Sequence, residues 1–283
     1  MTETRTPQPK QDPAAEASDG LFADILCAVD GTRRSFAAVE QAAILAGPQG
    51  SLTLLAVTAV AGSGVNRHAA IGPQRAQRIL ERAEGIARAA GVPCSGVIEP
   101  EGPPSQLVLK RAAGHDLLAL GAPASSWLGG RFIDGVADAA LGSFTVPLLT
   151  AHAMPRGEHR FLEHVLVASD GLDGSDQMVE LVARLAREHD SKVTLLHAMK
   201  SKERPQSIQE QASRLLEEID GACAVRVEVG GAAELIVAVA KQEGSSLVVM
   251  NSRRLGGWKA IGSVSRRVVH DAHCSVLLTQ PTG

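Results

Sequence analysis

Small and basic residues gather where anion chemistry would need them. Arg253 and Arg254 lie shortly before Gly262-Ser263, with Ser265, Arg266 and Arg267 close behind. Glycine leaves backbone N–H groups open to a phosphate, a serine hydroxyl adds a donor, and a helix N-terminus favours negative charge. Arg253 and Arg254 could meet phosphate oxygens directly, although arginines so placed also serve as solvated loop charges. An earlier segment offers less. Gly121-Ala-Pro-Ala124 is followed by Asp134-Gly135-Val136, which puts a carboxylate where donors are wanted and Val136 where a hydroxyl is. Two aspartates, Asp30 and Asp170, each end an aliphatic run and precede glycine. They either face a ligand or turn the chain and cap the helix that follows.

Other chemistries find little support. The nine histidines show no His-Glu-x-x-His spacing and no triad partner. His197, at a strand end, reads as a buried side chain with one hydrogen bond. His270 and His273 read as a charge effect at a helix C-terminus rather than a metal pair. Cys27, Cys94, Cys223 and Cys274 form no Cys-x-x-Cys pair and read as reduced, small apolar fillers in a cytoplasmic protein. A formal net charge of −3, with no basic run interleaved with aromatics, argues against nucleic acid as a partner. No apolar stretch approaches the roughly 20 residues of a membrane-spanning helix. Residues 1–20, rich in Pro, Gln, Thr, Ala and acidic groups, lack the apolar core of a signal peptide and are expected to be a disordered, dispensable leader.

The elements that must position these residues occur twice. Ile25-Leu-Cys-Ala-Val-Asp30-Gly31 returns as Val165-Leu-Val-Ala-Ser-Asp170-Gly171, an offset that also holds for Ser35/Ser175, Glu40/Glu180 and Leu55/Leu195. Near the ends, Pro147-Leu-Leu-Thr150 resembles Val276-Leu-Leu-Thr279. Each copy reads as strand (24–29, 164–169), helix (33–46, 174–189), strand (51–57, 192–198), helix (73–90, 205–219), strand (94–98, 224–229), helix (104–113, 232–243), strand (116–121, 246–251), glycine-containing loop, helix and fifth strand. Apolar residues make up 45% of the chain but aromatics only 2%, so the core must be Ala, Val, Leu and Ile, which suits helices packed on a buried parallel sheet. Alternating strands and helices imply an α/β chain of two tandem doubly wound domains. Ligands then belong beyond the carboxyl ends of strands, at the switch in strand order.

Over about 21–150 and 161–280 the chain resembles the universal stress protein family. The resemblance rests on the Asp ending the first strand, the strand rhythm, and the loop after the fourth strand. Nucleotide-binding members carry Gly-x-x-Gly, nine residues, then Gly-Ser or Gly-Thr. Both copies depart from that pattern. The first has Gly121 but Ala124, with Asp134 ahead of Gly135. The second begins Asn251-Ser-Arg-Arg254 and reaches Gly262-Ser263 after only seven residues. The two loops share Leu128-Gly129-Gly130 and Leu255-Gly256-Gly257. Ser169-Asp-Gly-Leu-Asp-Gly-Ser175 is superficially similar to the Ser-Gly-Gly-x-Asp-Ser loop of ATP pyrophosphatases, but Asp170 replaces a loop glycine and Gly174 is extra, so that enzyme reading is rejected.

The resemblance implies an adenine-nucleotide-binding stress-response module, with ATP or AMP as ligand and without dedicated catalysis. The alternative is an interaction scaffold of the same family whose sites have decayed. In the second copy the implied contacts are Asp170 toward the adenosine, the backbone of Ala198 toward adenine, and Arg254, Gly262 and Ser263 toward phosphates. In the first copy Asp30, Val57, Gly121 and Gly135 match. The expected layout is a leader over 1–20, a domain over 21–150, a linker over 151–160 and a domain over 161–280. The fifth strands are expected to pair antiparallel about a pseudo-twofold axis, since this removes two sheet edges. Further homodimerisation stays open.

Overall fold

The structure is a computed structural model. It describes residues 21–58, 71–100, 102–123, 135–153, 160–170, 175–199, 206–218, 223–252 and 263–280. In the first copy the elements are β1 (Asp24–Ala28), α1 (Arg33–Ala46), β2 (Ser51–Val57), α2 (Pro73–Ala89), β3 (Cys94–Glu99), α3 (Pro104–Ala112), β4 (Leu117–Gly121), α4 (Val136–Ser143) and β5 (Leu148–Ala151). The second copy repeats the order with β6 (His164–Ser169), α5 (Ser175–His189), β7 (Lys192–Met199), α6 (Gln206–Glu218), β8 (Cys223–Val229), α7 (Ala232–Glu243), β9 (Leu247–Asn251), α8 (Ser263–Asp271) and β10 (Ser275–Thr279).

Local chemistry accounts for the helix limits. Pro73 and Pro104 open α2 and α3, where a missing N–H costs nothing. Thr32 caps α1, its hydroxyl accepting from the Ser35 N–H at 3.2 Å. Gly244 ends α7 in the left-handed region at φ 65°, which a side chain would resist. The expected element limits hold to within one or two residues throughout.

All ten strands form one sheet in the order β3-β2-β1-β4-β5-β10-β9-β6-β7-β8. Every neighbouring pair is parallel except β5 and β10, which run antiparallel. Strand residues alternate between two apolar layers. Ile25, Cys27 and Leu149 face α1, α2, α5 and α6, while Leu26, Leu118 and Leu148 face α3, α4, α7 and α8. Both layers run unbroken from one copy into the other.

The β5·β10 ladder places Leu149 opposite Leu277. Leu118 and Val248 are equivalent, since they pair with Leu26 and Leu166, and their partners Leu148 and Val276 are therefore equivalent too. Leu149 then corresponds to Leu277, and the pseudo-twofold axis passes between these two. The likeness of Pro147–Thr150 to Val276–Thr279 is one residue out of register. A slip of one would turn every side chain of the strand to the other layer, so burial, not letter identity, decides the match.

Candidate functional site

In the first copy the aliphatic run of β1 breaks at Asp30, which is exposed at the carboxyl edge of the sheet. Its Oδ1 accepts from the Thr32 N–H at 2.8 Å, and its own N–H reaches Ser35 Oγ at 3.4 Å. Asp30 thus folds the turn, and the cap itself falls to Thr32. Continuing the β1·β2 register by two residues sets Asp30 level with Val57, which is 9% exposed. Just beyond, Thr58 donates its N–H and its hydroxyl to Glu99 O.

Gly121 ends β4 against the start of α1. A Cβ there would lie 2.8 Å from Ser35 N and 2.9 Å from the Arg34 carbonyl carbon. This glycine is needed for close approach of two backbones, whatever else it does. Arg34 then crosses to the same loop, its Nη1 donating to Pro123 O at 2.9 Å. Gly135 stands at the N-cap of α4 with no side-chain cap. Asp134, the expected intruder on the anion site, lies outside the described residues.

In the second copy Asp170 is likewise exposed at the end of β6. Ala198 is half-buried near the end of β7 and equivalent by register to Val57. Before it, His197 is 5% exposed and its Nδ1 donates to Ser169 O at 2.8 Å, the buried, singly bonded state its position suggested. Asn251 replaces Gly121, and its Oδ1 accepts from the Thr279 hydroxyl of β10. Helix α8 starts at Ser263. Arg253, Arg254 and Gly262 lie outside the described residues, as does the side chain of Ser263. Of the polar residues behind that start, Ser265 is buried, and Arg267 pairs with Glu234 of α7 at 2.5 Å.

Parallel pairing brings the carboxyl ends of β1, β2 and β4 to one edge, with β1 between its two partners, and those of β6, β7 and β9 likewise. The fold therefore collects Asp30, Val57 and Gly121 at one stretch of the sheet edge and Asp170, Ala198 and Asn251 at another. Such an edge offers backbone groups, an exposed carboxylate and a helix start, which together suit an anionic ligand with hydroxyl groups.

The structure also places polar groups at the seam between copies that the sequence does not advertise. Ser275 Oγ donates to Gln41 Oε1 at 2.8 Å, Gln41 Nε2 donates to His152 O at 2.9 Å, and the His152 N–H closes the ring on Ser275 Oγ at 3.0 Å. His270 stands in the last turn of α8, where a charge effect at the helix end was expected, and also meets Asp138 of α4, Nε2 to Oδ1, at 2.8 Å. Both side chains are under a tenth exposed. The partners are 132 positions apart, so no local pattern could have paired them. Among the described residues no three metal-ligating side chains converge, and no helix is long and apolar enough to cross a membrane.

Comparison with known proteins bears on the fold. The profile of the universal stress protein family matches residues 22–152, 162–220 and 198–280. A universal stress protein from Archaeoglobus fulgidus DSM 4304 superposes with a TM-score of 0.70 at 19% identity, over 93% of this chain and 97% of that one. A functionally unknown protein from Pseudomonas aeruginosa PAO1 superposes with a TM-score of 0.63 at 16% identity, over 92% and 93% of the two chains. No curated protein matches.

Proposed function

The chain belongs to the universal stress protein family, and from that premise we propose that it is a tandem adenine-nucleotide-binding stress-response module without dedicated catalysis, acting through its second copy. The observation that carries this reading is the shared edge formed by the carboxyl ends of β6, β7 and β9, where Asp170 stands exposed, with α8 beginning at Ser263. Asp170 would take the ribose, the Ala198 backbone the adenine, and Arg254, Gly262 and Ser263 the phosphates of ATP or AMP. A helix start and an arginine supply the donors and positive charge that phosphates require. The first copy is the weaker candidate, because Asp134 precedes its helix start and a carboxylate near a polyphosphate repels it. Four cysteines without a disulfide fit a cytoplasmic setting.

One observation favours the scaffold alternative. Both residues that open the loops after the fourth strands already have structural work: Gly121 admits the α1 backbone, and Asn251 is tied to Thr279.

Calorimetric titration with ATP and with AMP separates these readings. Wild type and Asp30→Ala should bind, and Asp170→Ala should lose affinity. Equal loss in both variants, or loss with Asp30→Ala alone, overturns the assignment to the second copy. A wild type that binds neither nucleotide supports the scaffold.

A further inference from the structure

We propose that a second copy of this chain pairs antiparallel along the outer edge of β8, in a register centred on Val227. β8 closes one end of the ten-stranded sheet. The Gly230 N–H donates to Met199 O of β7 at 3.0 Å. Main-chain groups point alternately to the two sides of a strand, so Arg226 and Glu228, in phase with Gly230, direct theirs to β7. Val225, Val227 and Val229 direct theirs outward, where the sheet has no further strand. Val225 and Val229 are 40% and 52% exposed, two of the four large apolar residues so exposed among those described.

A twofold axis at Val227 answers each of these features together. It sets Val227 opposite Val227 and Val225 opposite Val229 as hydrogen-bonded pairs, which occupies the outward N–H and C=O groups. It sets Arg226 opposite Glu228 as a non-hydrogen-bonded pair, where side chains approach most closely. Charges on an edge strand ordinarily discourage self-association. Here the two signs stand two positions apart, so the edge complements itself. Arg226 Nη2 already meets Glu228 of its own strand at 2.8 Å and Nη1 meets Glu243 at 2.8 Å, and exchanging Glu228 for its symmetry mate keeps every charge paired.

The opposite end of the sheet does not have this property. Thr58 N–H donates to Glu99 O, so Gly96, Ile98 and Pro100 face outward from β3. Pro100 has no N–H to give, and β3 holds no basic residue to meet Glu99.

Sedimentation equilibrium of the full chain tests the proposal. The wild type should approach twice its 29.5 kDa mass as concentration rises. V227P removes one outward N–H and leaves the β7·β8 ladder whole, so it should sediment at the single-chain mass with unchanged far-ultraviolet dichroism. V225K/V229K sets ammonium groups opposite one another and should do the same, and it decides the matter if V227P fails to fold. A wild type that stays at the single-chain mass, or a dimer that survives in either folded variant, overturns the proposal.

Discussion

Asp138 and His270, one from each copy of the fold, meet at 2.8 Å between α4 and α8. Asp138 sits in the first turn of α4 and is held there by the packing of Ala137, Ala140 and Leu141 on the sheet. The pair occurs once: counted from the equivalent Gly135 and Gly262, Ser265 holds the place of Asp138. It therefore joins two copies that are no longer interchangeable.

Asp138→Ala leaves the His270 ring without its carboxylate in a nearly closed site. Removing one partner of a buried pair is costly, and the expected loss is about 3 kcal/mol of unfolding free energy in urea titration. His270→Gln keeps a donor for Asp138 and should cost clearly less. An Asp138→Ala variant as stable as wild type would show that the contact is incidental to stability.

His152 gives the chain an acid-sensitive seam. Burial, with Arg34 and His273 adding like charge, lowers its pKa to about 4. Below the ordinary histidine value near 6.5 the unfolded chain takes up a proton that the folded chain refuses. Folding stability should therefore fall as pH drops from about 6.5 to 4, and level off below that. His152→Gln should flatten the melting temperature across this window. An unchanged slope would place the acid sensitivity elsewhere.

Two glycines should respond oppositely to alanine. At Gly121 the added Cβ meets backbone atoms of Ser35 and Arg34 that cannot yield, and the expected cost is about 1–3 kcal/mol. At Gly85, within α2, nothing lies within 4 Å, and the expected gain is about 0.5–1 kcal/mol. Thermal unfolding of both variants checks this. A neutral Gly121→Ala would mean that the start of α1 moves freely.

Glu243, the last residue of α7, joins Arg226 of β8 to Thr194 and His164. Burial raises its pKa, but hydrogen bonds from Arg226 and Thr194 and the nearby His164 outweigh that and hold it below the usual range. Thr194 gives its one hydroxyl proton to Glu243 Oε2 at 2.8 Å, and His164 Nδ1 faces Glu243 O at 3.1 Å. His164 Nε2, 3.0 Å from Thr194 Oγ1, must then donate as well. Nitrogen NMR should find both ring nitrogens protonated, and Glu243→Gln should remove that signature and cost about 1–2 kcal/mol by weakening the bonds from Arg226 and Thr194, while Arg226 keeps Glu228. A singly protonated ring in the wild type would refute this network.

The order of strands and helices was legible in the sequence because it rests on local rules. Aliphatic runs of four to eight residues, prolines at helix starts and glycines at helix ends act within a few positions. The repeat made the order of strands and helices visible twice. The antiparallel meeting of β5 and β10 also followed, because a chain with two copies of an edge strand removes both edges by joining them. The candidate site was legible as far as the edge of the sheet on which Asp30, Val57, Asp170 and Ala198 stand.

Tertiary structure alone decided which polar groups meet. Gln41 finds Ser275 across 234 positions, and Asp138 finds His270 across 132. No periodicity links such partners, since their contact depends on the twist and register of a whole sheet between them. Gly121 is the same lesson within one copy. The sequence shows a glycine opening the loop after the fourth strand, and only the approach of α1 to within 2.8 Å of its missing side chain shows that the fold needs it there.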